Sequence, residues 1–134
     1  MNQKIVPIIT SVGKIWGRDA IFLDEVKIID ETTIEIIGSF NGNLCENLKD
    51  DSDKKYSIIF SSVHLFKMIE LDYDEIEYES SFDEVKNSNQ LVKMINMDKE
   101  MHIGKIDKDY KHFVFRTYDT VFEIIGMRFE LNLK

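Results

Sequence analysis

The last eight residues constrain the fold more than any other stretch. Met127, Phe129, Leu131 and Leu133 alternate with Arg128, Glu130, Asn132 and Lys134. Successive side chains of an extended strand point to opposite faces, so this pattern demands a strand with one dry and one wet face. A one-sided strand belongs in an antiparallel sheet. The same period of two recurs upstream: Ile34, Ile36 and Phe40 share a parity in Thr33–Phe40, as do Tyr56, Ile58 and Phe60 in Tyr56–Ser61, and Phe113 and Phe115 in Lys111–Arg116. Ala20–Ile29 is rich in β-branched and aromatic residues, and Asp30-Glu31-Thr32 follows it as a polar turn. Asn41-Gly42 closes the next strand, in which Gly38 marks a bulge.

With 134 residues, 43% of them hydrophobic, the chain can fill one core and is too short for two. It has one proline, no Gly/Ser-rich linker and no internal repeat. The expectation is a single domain over residues 1–134, mainly β and α+β at the margin. Its architecture is an antiparallel curved sheet or partly open barrel with one or two short helices.

The helices are harder to place. Ser81-Phe82-Asp83-Glu84 matches the S-x-x-E capping box and predicts a short helix, which Asn87-Ser88-Asn89 would stop. Leu91–Met101 partly fits both a helix and a strand, with the balance towards helix. The apolar run from Val63 to Leu71 fits a strand buried on both faces or a helical turn. Asp74–Glu79 alternates as a strand would, placing Ile76 and Tyr78 inward and Glu75, Glu77 and Glu79 outward. Leu44–Lys55, with Asp50, Asp51, Ser52 and Asp53 in succession, has the composition of a loop. Thr117–Thr120 suits a turn into the C-terminal strand, unless that strand and Lys111–Arg116 form one long bent strand.

Charge narrows the function classes. Seventeen Lys and Arg against 25 Asp and Glu leave 17 − 25 = −8, a sign that disfavours nucleic acid, whose recognition needs clustered cations. Eight carboxylates fall in the fifteen positions from Glu70 to Glu84, with no cation between Lys67 and Lys86. Such a segment either solvates a strand face or steers a basic protein partner. The candidate partner-binding residues are Glu70, Asp72, Tyr73, Asp74, Glu75, Glu77, Tyr78 and Glu79, the two tyrosines supplying contact area.

Reactive constellations are missing. No phosphate-binding glycine loop and no G-x-S-x-G elbow occurs. The acidic segment and Asp50, Asp51 and Asp53 lack the glycine of a calcium loop. His64, His102 and His112 have no zinc spacing. His64, among apolar neighbours, is expected to be satisfied and partly buried. A hydrolase or metal enzyme would need His102 and His112 to converge near Asp107 or Asp109. Cys45, beside Glu46, is expected to be a quiet thiol. As the only cysteine it can form no internal disulfide, which fits a reducing cytoplasm. The apolar stretch of Ile5, Val6, Ile8 and Ile9, broken by Pro7, reads as too short for a secretory h-region, and no eighteen-residue apolar run predicts a membrane span. The expectation is a non-enzymatic protein with no cofactor and no metal. A small-molecule-binding β-barrel is the alternative, although Gly13-Lys14-Ile15-Trp16 is one residue too long for a G-x-W lipocalin opening. Trp16 is expected to plug or edge the core, with its indole N–H on a backbone acceptor.

Val85-Lys86-Asn87-Ser88, then Lys111-His112-Phe113-Val114-Phe115, then Thr117–Ile125 form a pattern over roughly residues 81 to 131. It resembles small uncharacterised bacterial β-rich proteins, some of toxin-immunity type. The resemblance implies a cytoplasmic protein that neutralises a basic toxin by covering its active surface. It assigns no residue to that contact.

Overall fold

The computed structural model of the chain describes residues 2–48 and 53–134. Asp50, Asp51 and Ser52 of the expected acidic loop lie outside the described residues. Nine strands and one α-helix follow in order among them: β1 Lys4–Pro7, β2 Ile21–Asp30, β3 Thr33–Phe40, β4 Lys54–Ser61, β5 Leu65–Glu70, β6 Phe82–Lys86, α1 Asn89–Glu100, β7 Lys111–Arg116, β8 Thr120–Gly126 and β9 Arg128–Leu133. They form two antiparallel sheets, ordered β1-β6-β7-β8-β5 and β2-β3-β4-β9, and neither closes into a barrel.

The period-two segments become strands whose apolar parity meets between the sheets. Ile34, Ile36, Phe40, Tyr56, Ile58 and Phe60 from one sheet join Phe82, Phe113, Phe115, Phe122 and Ile124 from the other in a single buried cluster. Phe60 sits at its centre, with ring centroids 5.4 Å from Phe113, 6.2 Å from Phe82 and 6.3 Å from Phe129. Both sheets contribute buried side chains to this one cluster. Gly38 on β3 pairs with Leu23 of β2, next to the bulged Asp24. A Cβ at Gly38 would run into the Phe22 carbonyl oxygen, which accepts a 3.1 Å hydrogen bond from the Tyr56 hydroxyl. The bulge is thus on the partner strand, and Gly38 is the close approach that lets β2 reach over it.

Several expectations are corrected. Residues 82–86 are strand β6 and not a capped helix: β6 pairs with β1 and β7, and the Ser81 amide donates to the Ile15 carbonyl. Tertiary pairing on both edges outweighs a local capping motif. The helix begins where a stop was expected. Asn87 takes a left-handed conformation (φ 55), and the Ser88 hydroxyl caps α1 by accepting from the Leu91 amide at 3.1 Å. Leu91–Met101 is accordingly helical as far as Glu100. Val63–Leu71 resolves into β5, an edge strand with Lys67, Met68 and Glu70 exposed, so it is not buried on both faces. Thr117–Thr120 is a turn, but it joins β7 to β8. The chain crosses to the other sheet only after Gly126. Trp16 is 47% exposed, with the Lys14 ammonium 3.7 Å above its ring. Its indole N–H has no acceptor among the described residues.

Candidate interaction surface

The outer face of the five-stranded sheet is built from the parity opposite to the core phenylalanines. On β7 that parity carries His112, Val114 and Arg116; on β8, Val121, Glu123 and Ile125; on β6, Asp83 and Val85. Val85, Val114 and Val121 form a second apolar cluster, covered by Ile5, Leu71 and Ile76. Chain 71–81 therefore lies across this face, and the charged residues beneath it are buried.

Arg116 fixes that crossing segment. Its Nε donates to Asp74 Oδ2 at 3.2 Å and its Nη1 to Asp83 Oδ2 at 2.8 Å. Nη1 also donates to the Ser80 carbonyl, and Nη2 donates to the carbonyls of Ile76 and Glu77. The side chains of Arg116, Asp74 and Asp83 are 5%, 5% and 0% exposed. Asp83 Oδ2 accepts from the amides of Glu79 and Ser80 as well, and its Oδ1 accepts from the Ser80 hydroxyl at 2.6 Å. Asp74 Oδ1 accepts from the Ile76 amide. Each group has a partner, which a buried ionic cluster needs if it is to be tolerated.

The expected strand over Asp74–Glu79 is absent. Carbonyls that a strand would offer to a neighbour are taken by a guanidinium, and the segment runs as irregular chain with bends at Ile76, Glu79 and Ser80. Ile76 does turn inward, but Tyr78 is 67% exposed, with the Arg116 guanidinium 5.3 Å from its ring centroid. Asp74, expected among the partner-binding residues, is a buried member of the clamp. Glu84 faces Lys86 at 3.1 Å. Five of the eight carboxylates between Glu70 and Glu84 remain: Glu70, Asp72, Glu75, Glu77 and Glu79 are exposed and form no ion pair among the described residues. Tyr73, in the 3-10 turn Leu71–Tyr73, is 73% exposed beside them.

A second polar chain lies on the same sheet face. Ser88 Oγ is 2.6 Å from His112 Nδ1, and His112 Nε2 is 3.0 Å from Glu123 Oε1. Lys67 Nζ lies 3.8 Å from the other Glu123 oxygen. The chain is complete with Nε2–H donating to the carboxylate and the Ser88 hydroxyl donating to Nδ1 while it accepts from Leu91. The bonding order is that of a serine–histidine–acid relay, a convergence the spacing of these residues did not signal. Acyl transfer also requires the hydroxyl to reach a substrate carbonyl. Ser88 is 2% exposed and committed to the helix cap, so the relay ties α1 to β7 and β8.

His112 thus converges with Glu123, not with His102, Asp107 or Asp109; His102 is exposed in the turn after α1. His64 is exposed too, contrary to expectation, with Nε2 3.2 Å from the Tyr110 hydroxyl. Cys45 is buried, and desolvation pushes its thiol up to about 11. Burial, and not the exposed Glu46, is what makes it quiet. The hydrogen bond from His112, aided by the charge of a protonated His112 and by those of Lys67 and Arg116, holds the Glu123 carboxyl below its ordinary value of 4.5 against the opposing effect of burial. Stability linked to Glu123 is therefore present above the ordinary carboxylate range and lost as pH falls below it. In thermal unfolding, wild type should exceed Glu123→Gln most at neutral pH, and the gap should shrink on acidification to about pH 3. A gap independent of pH would mean that the carboxylate charge contributes nothing.

Comparison with protein-family models, with curated proteins and with solved structures finds no match to this chain. Among the described residues no helix is long and apolar enough to cross a membrane, and no group of three or more His, Cys, Asp or Glu side chains is placed to hold a metal ion.

Proposed function

We propose that this chain is a non-enzymatic interaction module that presents the 70–79 segment to a basic protein. One observation carries the proposal: Arg116 clamps the segment from beneath and leaves Glu70, Asp72, Glu75, Glu77 and Glu79 outward without countercharges, with Tyr73 and Tyr78 exposed among them. A segment already ordered loses little conformational freedom on binding. Its field accelerates encounter with a cationic surface, and its tyrosines supply apolar contact. Both ionisable clusters on this sheet face are internally satisfied, which favours a surface role over a reactive one.

The narrower form of the proposal is an immunity-type protein acting in the cytoplasm, covering the active surface of a basic toxin. The lone, buried Cys45 is compatible with that compartment. Co-expression with a toxin-like product of a neighbouring reading frame should restore growth if this narrower form holds. For the broader form, partners captured at about 50 mM and about 500 mM salt should differ, since exposed charge pairs are screened within a Debye length. The triple variant Glu75→Lys, Glu77→Lys, Glu79→Lys should weaken such a partner by about tenfold or more. A partner held equally well by the triple variant at low salt would place the interface elsewhere.

A further inference from the structure

An open groove of about 480 Å³ runs between the Gly17–Arg18 turn and the clamped segment. Leu71 and Ile76 contribute apolar lining, and Tyr78 an exposed ring. Two cations and three carboxylates line it: Arg18, Arg116, Asp74, Glu75 and Glu77. Arg116 is not available to a ligand anion, whereas Arg18, its side chain 53% exposed, has its charge paired with Asp119 and uses only its Nε and Nη2 donors among the described residues. Arg116 already makes five hydrogen bonds. Arg18 donates to the Tyr118 carbonyl at 3.0 Å and to Asp119 at 3.3 Å. Asp74 is spent on Arg116. The charge left over is that of Glu75 and Glu77, both exposed and unpaired among the described residues.

We infer that this groove receives one arginine side chain of the basic partner. The inference rests on the proposed function and adds the chemistry of the contact. A planar guanidinium suits the site better than an ammonium because it can fork hydrogen bonds to carboxylates and lie on an aromatic face, while its methylene stem covers apolar lining. The volume falls within the range of pockets that enclose small ligands.

The test uses the intact protein and a blocked pentapeptide with one central arginine among glycines, titrated by NMR, alongside its citrulline counterpart. The arginine peptide should bind saturably and shift the amides of Gly17, Tyr78, Ser81 and Thr117, and citrulline should weaken it by about tenfold. Two variants with equal change in net charge separate groove from field. Glu75→Gln/Glu77→Gln, inside the groove, should weaken binding by about tenfold, and Glu70→Gln/Asp72→Asn, outside it, by less than about twofold. Equal losses in the two would overturn the groove and leave the acidic surface standing. No loss in either would overturn both. Absence of saturable binding up to about 10 mM would also overturn the groove, because even millimolar affinity corresponds to only about 4 kcal/mol.

Discussion

Replacing Arg116 with methionine is expected to lower stability by about 3–5 kcal/mol, the cost of leaving buried charge without its partner. Methionine keeps much of the stem volume and removes all five donors. Asp83, fully buried, would keep its bonds from Glu79, Ser80 and the Ser80 hydroxyl but lose the only cation that touches it among the described residues. Asp74 would lose its ion pair, and the carbonyls of Ile76, Glu77 and Ser80 would lose their donor. Two outcomes distinguish a clamp from a merely well-packed arginine. Urea unfolding should show the loss of stability, and in the folded variant the 74–80 segment should exchange its amides faster while β3 and β4 remain protected. Arg116→Lys should recover little, since a lysine can replace at most part of a five-donor fork. A methionine variant as stable as wild type would show that the carboxylates and carbonyls find other partners.

Phe60→Ala is expected to cost about 3–5 kcal/mol, through lost burial and the cavity left between the sheets. Phe60 is fully buried, and rings from β6, β7 and β9 surround it. Few neighbours can collapse into the gap, because each is held in its own strand ladder. Phe66→Ala, on the edge strand β5, should cost less, because Phe66 is only partly buried against the core. Chemical denaturation of both variants checks the order. A Phe60 variant losing under about 1 kcal/mol would imply a loosely filled interior. That result would favour a small-molecule site between the sheets over a purely surface role.

Most of the sheet could be read from the sequence because burial on one face imposes period two directly, as in Thr33–Phe40 and Arg128–Leu133. The failures have a common physical origin. Ser81 and Glu84 satisfy a capping motif locally, but the backbone between them is paired on both sides by segments distant in sequence, β1 and β7. Asp74–Glu79 alternates like a strand, yet its carbonyls bond to a side chain some forty residues away, which periodicity cannot register. The acidity of the surface was legible; the division of its carboxylates into clamp and display was not. A partial signal did exist. In Lys111–Arg116 the parity that buries Phe113 and Phe115 places His112, Val114 and Arg116 together on the other face. In β8 the same rule sets Glu123 beside Val121 and Ile125. An arginine and a histidine sharing a strand face with valine point to a covered polar face.

The acidic surface depends on a segment held in one conformation from beneath. Amide hydrogen exchange of Ile76, Glu79 and Ser80 in the wild-type protein at neutral pH measures this most directly, because these three amides donate to the carboxylates of Asp74 and Asp83. Exchange slowed well below the rate of an unstructured chain in wild type, and accelerated in Arg116→Met, is the predicted result. Free-chain rates at these three positions in wild type would contradict it.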